Sequence, residues 1–169
     1  MRAFIFFIKF KRKTIMCCKE KPEIRFVKTH PDAQLPKQNH SGEGIGDTGF
    51  DLFCVEDTVI KARQSGVVEV GIKVGYITPG YWFKIEARSG LGFKYSLEPH
   101  QGIIDNQYRG DTGIKIFNLS DDDYYFKTGD KVAQIVVYEL IQPKISWIEE
   151  AEETERGEKG FGSSDKKLE

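Results

Sequence analysis

The sequence predicts an all-β barrel or sandwich, and three observations carry that reading. Polar and apolar residues alternate in stretches such as Val67-Val68-Glu69-Val70-Gly71-Ile72-Lys73-Val74, where Val68, Val70, Ile72 and Val74 share one face. Such stretches recur with Gly, Pro and Asp turn signals between them. No stretch of useful length repeats with a helical period before an acidic run near the C-terminus.

A chain of 169 residues suits one domain with a substantial core. Its formal net charge of -1 sets up no long-range field toward nucleic acid or an anionic membrane, so a phosphate site has to be local. Cys17, Cys18 and Cys54 make neither a disulfide framework nor paired CxxC motifs, and are expected as free thiols in a reducing compartment. His30, His40 and His100 lack ligand spacing and are expected at the surface. The run Ala3-Phe4-Ile5-Phe6-Phe7-Ile8 is too short to span a bilayer. Its basic residues Lys9, Lys11, Arg12 and Lys13 follow it, which is the wrong order for a signal peptide. Either Met16 is the natural start or residues 1–22 are a disordered leader, rather than a weak interfacial anchor.

Glu23-Ile24-Arg25-Phe26-Val27-Lys28 alternates as a half-buried strand, and Pro31, Pro36 and Asn39-His40-Ser41-Gly42-Glu43-Gly44 read as a loop. Thr48-Gly49-Phe50-Asp51-Leu52 is a strand that brings in a carboxylate. Asp51 suits two roles, holding a water of a Mg2+ shell or pairing with a neighbouring Arg, and the residues alone leave both open. Thr78-Pro79-Gly80 is a tight turn. The strand after it puts Tyr81, Phe83, Ile85 and Ala87 on one side, toward the core or a subunit interface. It delivers Arg88-Ser89-Gly90-Leu91. Ser89 is placed to cap a short turn of helix whose free N–H groups suit a phosphate, and Arg88 offers phosphate oxygens a planar fork.

Gly102-Ile103-Ile104-Asp105-Asn106-Gln107-Tyr108-Arg109-Gly110-Asp111 reads as a β-hairpin with Asp105 and Tyr108 at its mouth, the second strand following at residues 113–117. Its backbone suits the edge of a flat base, Tyr108 a sugar or ring, and Asp105 a water. Further strands are expected over 115–119, 124–127 and 131–140. Asp121-Asp122-Asp123 is a solvated turn rather than a metal site. Gln134, in Gly129-Asp130-Lys131-Val132-Ala133-Gln134-Ile135, is an amide in an apolar strand and needs partners, a phosphate or a neighbouring subunit. Glu149, Glu150, Glu152, Glu153 and Glu155 then make a self-repelling linker. It leads into Arg156-Gly157-Glu158-Lys159-Gly160-Phe161-Gly162-Ser163-Ser164, a glycine-rich arm that orders only on binding something.

Five of these segments, in order from Thr48 to Ser164, resemble the five motifs of the trimeric dUTPases (deoxyuridine triphosphate nucleotidohydrolases): Thr-Gly-Phe-Asp-Leu, Arg-Ser-Gly-Leu, Gly-Ile-Ile-Asp-x-x-Tyr-Arg-Gly, Gly-Asp-Lys-Val-Ala-Gln-Ile and the arm. The resemblance spans about residues 23–164. It implies a jelly-roll-like fold, a homotrimer with a swapped C-terminal arm, and hydrolysis of dUTP to dUMP and pyrophosphate. It implies Asp105 as the base that activates water, and Mg2+ held mainly by the triphosphate, with Asp51 contributing only through water. Arg88, Ser89, Gly90, Gln134 and Arg156 are implied at the phosphates, and Gly102, Ile104 and Tyr108 at the base and sugar. Phe161, Gly162 and Ser163 are implied to close over the nucleotide. Ala87, Gln107, Asp111 and Asp165 depart mildly from the family pattern, as does the stretch Glu98-Pro99-His100-Gln101. The expected organisation is a leader over 1–22, the barrel over 23–148 and the linker and arm over 149–169. The expected setting is the cytoplasm or another compartment of DNA synthesis, with neither nucleic acid nor membrane as partner. Two other readings are a dCTP deaminase of the same fold, which would lack the arm, and a non-catalytic regulatory trimer, which would have a damaged site.

Overall fold

The structure is a computed structural model that describes residues 21–42 and 45–158. Phe161, Gly162, Ser163 and nearly all of the expected leader lie outside the described residues. Two four-stranded antiparallel sheets face each other. The first runs in the order β1 (Ile24–Lys28), β4 (Ser65–Ile77), β8 (Asp111–Asn118), β6 (Leu97–Pro99). The second runs β2 (Phe50–Phe53), β10 (Lys131–Glu139), β5 (Tyr81–Glu86), β7 (Ile103–Ile104). A small pair, β3 (Thr58–Ile60) with β9 (Tyr124–Phe126), flanks them. This is the all-β, jelly-roll-like architecture expected, with one short helix, α1 (Ser89–Tyr95).

The alternation in residues 67–74 does what its period requires. Val68, Val70, Ile72 and Val74 are all buried, and Phe83, Ile85, Ile114, Ile116, Val132 and Ile135 join them in the core between the sheets. The register of β4 with β8 shifts between Glu69 and Lys73, the interval that contains Gly71. Gly71 sits at φ 64°, and a Cβ there would come within 2.6 Å of the His30 Cβ and 2.9 Å of Val55. On the outer face of the second sheet, Trp82 of β5 stacks on Tyr138 of β10 with ring centroids 4.9 Å apart.

Two local expectations change. The stretch from Gly102 to Phe117 is not a hairpin of mutually paired strands. β7 pairs with β5, Ile104 opposite Phe83, whereas β8 pairs with β4 and β6. The connecting loop instead carries the chain from one sheet to the other. Asn106 fixes that crossing by donating from Nδ2 to the carbonyls of Thr78 (2.9 Å) and Tyr81 (2.8 Å), which ties the loop to the turn before β5. The turn residues reported a turn correctly, but they do not encode which strand each flank pairs with. Ser89, expected as a helix cap, is instead the first residue of α1. Arg88 is the N-cap, extended at φ −97° and ψ 125°, and no side chain caps the helix; the first turn closes on the Arg88 carbonyl through Leu91 N (3.0 Å) and Gly92 N (3.1 Å).

The chain leaves the second sheet after Glu139. From residue 140 to 158 every residue is exposed and none is in a strand or helix, and the indole of Trp147 is 99% exposed.

Candidate active site

Two groups of candidate residues are ordered about β5, one beyond its C-terminal end and one alongside it. Beyond its C-terminal end lie Arg88, Ser89 and Gly90, the last two exposed at the start of α1. β10 places Gln134 opposite both Glu86 of β5 and Asp51 of β2. Asp51 is only 5% exposed, and both oxygens of its carboxylate have partners. Oδ1 accepts from Arg88 Nε at 2.9 Å, and Oδ2 accepts from Lys131 Nζ at 2.8 Å and Asn39 Nδ2 at 3.0 Å. The pairing of Asp51 with an Arg, left open in the sequence, is therefore formed. Burial pushes the Asp51 carboxyl up, but the Lys131, Asn39 and Arg88 donors outweigh it and leave the group below the ordinary carboxylate range.

Gln134 is half-buried rather than buried, and its amide finds a partner within the chain, donating from Nε2 to the Ala87 carbonyl at 2.8 Å. Its amide lies flat against Gly49, where a Cβ would fall 1.9 Å from Oε1. The glycine of Thr-Gly-Phe-Asp-Leu is thus a seat for this glutamine.

The second group runs alongside β5 toward its N-terminal end. Gly102 accepts from Ile85 N at 2.9 Å, Ile104 pairs with Phe83, and the chain then enters the crossing loop. β7 is the last strand of its sheet, so its outer edge has no strand partner among the described residues. Asp105 is exposed and opens a tight turn in which Tyr108 N donates to its carbonyl at 3.0 Å. Tyr108 lies over Gly110, where a Cβ would come within 2.6 Å of its Cζ, and its hydroxyl donates to the Asp111 carbonyl at 2.8 Å. Arg109 Nη1 donates to the carbonyls of Asn106 (2.7 Å) and Tyr108 (2.6 Å) and stiffens the turn. A pocket of about 540 Å3, lined by Pro79, Trp82, Asp105, Asn106 and Tyr108 among others, opens here.

One chain does not bring the two groups together. The β5–β7 register sets Asp105 beside Trp82, and Arg88 lies six positions further along. At about 3.3 Å per residue the two ends are roughly 20 Å apart. Arg156 lies in the exposed C-terminal stretch. Among the described residues no three His, Cys, Asp or Glu side chains converge to hold a metal ion.

Sequence reading missed Lys131 and Asn39. Both reach Asp51 through the β2–β10 register and the Lys37–Asp51 bridge, which nothing in the linear order reveals. Asp121 and Asp123 pair with Arg63 and Lys61 on an exposed turn. His40 and His100 are exposed, although His30 is half-buried against β4. Cys54 is buried, and burial pushes its thiol up, which keeps it neutral and unreactive.

A family model described as dUTPase matches residues 33–165. A Helicobacter pylori protein named deoxyuridine 5'-triphosphate nucleotidohydrolase is 37% identical over 144 residues, 84% of this chain and 96% of that relative. A protein of the same name from Oryza sativa is 34% identical over 143 residues, 85% of this chain and 81% of that relative. Among solved structures, the Staphylococcus bacteriophage 80alpha dUTPase with dUpNHpp matches at a TM-score of 0.74 and 28% identity, covering 84% of this chain and 98% of that one. A mutant dUTPase from phage phi11 of S. aureus, described as coordinating a structural Mg(II) ion, matches at a TM-score of 0.67 and 27% identity, covering 78% of this chain and 99% of that one.

Proposed function

The chain belongs to the dUTPase family and hydrolyses dUTP, and we propose that it does so as a homotrimer whose sites each draw on more than one chain. The observation that carries this is the separation along β5. Asp105 lies beside Trp82 near the start of β5, and the phosphate-type donors lie beyond the strand's other end, roughly 20 Å further along. A neighbour's Asp105 loop laid against Arg88 and Ser89 closes that gap without moving either group.

In this reading the base lies along the open edge of β7, between Gly102, Ile104 and the crossing loop. Those backbone groups have no ladder partner on that side, so a uracil edge takes the place of a strand. Tyr108 packs on the deoxyribose. Arg88, Ser89, Gly90, Gln134 and Arg156 bind the phosphates, and the segment with Phe161, Gly162 and Ser163 covers the nucleotide. Asp105 accepts a proton from water as the water oxygen bonds to the α-phosphorus in line with the leaving group. The bond from that phosphorus to the α–β bridging oxygen breaks, leaving dUMP and pyrophosphate. Removing dUTP limits uracil incorporation into DNA, and the dUMP supplies dTMP synthesis.

The residues offer Mg2+ no site of their own among the described part of the chain, which fits an ion carried by the triphosphate. Three donors occupy the Asp51 carboxylate, and of its about four lone-pair positions one is left for a water of such an ion. When bound, the ion offsets phosphate charge and fixes the triphosphate's shape. The cytoplasm, or another compartment where DNA is made, is the setting this reading gives. Among the described residues no helix is long and apolar enough to cross a membrane.

The test is pyrophosphate release from dUTP and the four standard dNTPs, with the mass of the particle measured alongside. Turnover confined to dUTP by a particle of three chains is expected. Equal turnover of dTTP or dCTP, or full activity in a monomer, would overturn the reading.

A further inference from the structure

Arg88 is delivered at the end of a strand, and a long side chain in that position would normally sample many rotamers. Here it does not. Its Nε is held by Asp51 at 2.9 Å, and its Nη1 leans on the Lys131 carbonyl at 3.4 Å. Asp51 is held in turn from its other side. Lys131 Nζ and Asn39 Nδ2 both meet Oδ2, and Lys131 Nζ also donates to Asn39 Oδ1, so the three side chains form a closed triangle. Asn39 is kept there because its loop is zipped to β2, with Asp51 N donating to the Lys37 carbonyl at 2.9 Å.

The second cation matters to the geometry. With Lys131 and Asn39 both on Oδ2, Oδ1 faces Arg88 Nε. An open pocket of about 460 Å3 lies beside this cluster, lined by Arg88, Gly90, Lys94, Gly129, Asp130 and Lys131.

We propose that Lys131 and Asn39 are positioning residues for the triphosphate: they hold Asp51, and Asp51 fixes Arg88 by its Nε so that the terminal amino groups are already presented to phosphate oxygens. The rotamer freedom of Arg88 is thus lost before the ligand arrives, and the affinity gained is specific to the phosphate part of the ligand. This deepens the dUTP reading above and rests on it.

The experiment measures binding of a non-hydrolysable imido analogue of dUTP, with deoxyuridine, which has no phosphates, as the second probe. Lys131→Met should weaken the analogue by about tenfold, the value of one charged hydrogen bond, and leave deoxyuridine unchanged. Lys131→Arg, which keeps charge and donors, should restore most of the loss. The Lys131→Met/Asp51→Asn double variant should bind no worse than Asp51→Asn alone, because Lys131 acts through Asp51. If Lys131→Met does not fold, Asn39→Leu, which removes no residue of a core strand, should weaken the analogue about threefold with deoxyuridine unchanged. Parallel loss of both probes, analogue binding unchanged in both Lys131→Met and Asn39→Leu, or losses that multiply in the double variant would each overturn the proposal. Multiplying losses would mean that Lys131 touches phosphate directly. Failure of the unmodified protein to bind the analogue would instead overturn the dUTP reading itself.

Discussion

Thr112 turns its hydroxyl into the sandwich alongside Ile114 and Ile116, and among the described residues Oγ1 is a buried side-chain oxygen without a partner. Thr112→Val keeps the shape and removes the desolvated group, so it should stabilise the fold by about 1 kcal/mol, read from the urea midpoint. No gain would mean that the hydroxyl is satisfied in solution. Asp51 behaves in the opposite way. Its folded-state value lies below its ordinary 3.8, so the stability it contributes is present above that pH and is lost as pH falls through the lower value. Asp51→Asn should therefore lower stability at neutral pH and flatten the acid limb of the unfolding curve, and an unchanged acid limb would remove Asp51 from that account. Asp105→Asn should retain affinity for the dUTP analogue and lose about 10² to 10⁴ in turnover; parallel loss of affinity and rate would make Asp105 a binding residue. At this scale the sequence was enough to single out Asp105, Tyr108, Arg88 and Gln134 as candidates, because each stands in a local pattern with local meaning. The partners were not legible, since Lys131 and Asn39 meet Asp51 only through strand register.

Among the elements, β4 shows what alternation can and cannot convey. Its buried face was readable from residues 67–74, yet the register shift within that stretch was not, because Gly71 in a strand pattern looks the same whether or not φ is positive. Gly71→Ala should cost at least about 1–2 kcal/mol for the left-handed backbone, and more for the contacts with His30 and Val55. A loss near zero in urea unfolding would mean that the backbone there relaxes. The crossing loop teaches a related point. Ile103–Ile104 and Asp111–Asn118 were recognisable as strands, but their assignment to different sheets depends on the Asn106 contacts to Thr78 and Tyr81, which are remote in sequence. That divergence leaves one edge of β7 open, which a closed hairpin would have consumed.

For the molecule as a whole, the fold class was legible because burial periodicity is a collective property of many residues, whereas assembly is a property of surfaces that come from distant parts of the chain. Truncation after Glu155 removes no strand of the described residues, so the truncated protein should fold and assemble normally while hydrolysing dUTP poorly for want of Arg156 and the segment beyond it. Mixing Asp105→Asn chains with truncated chains should then recover activity, because a site with an intact Asp105 can take its arm from a neighbour. No recovery in verified mixed particles would mean that each arm serves the chain it belongs to.

The exposed indole of Trp147 has an optical consequence. The chain has only two tryptophans, and the other, Trp82, is stacked against Tyr138. Emission from the two should therefore respond differently to the surroundings. Trp147 reports by its wavelength whether water or another surface lies against residues 141–148, so dilution series read by fluorescence alone can follow docking of this segment without any dye or added label.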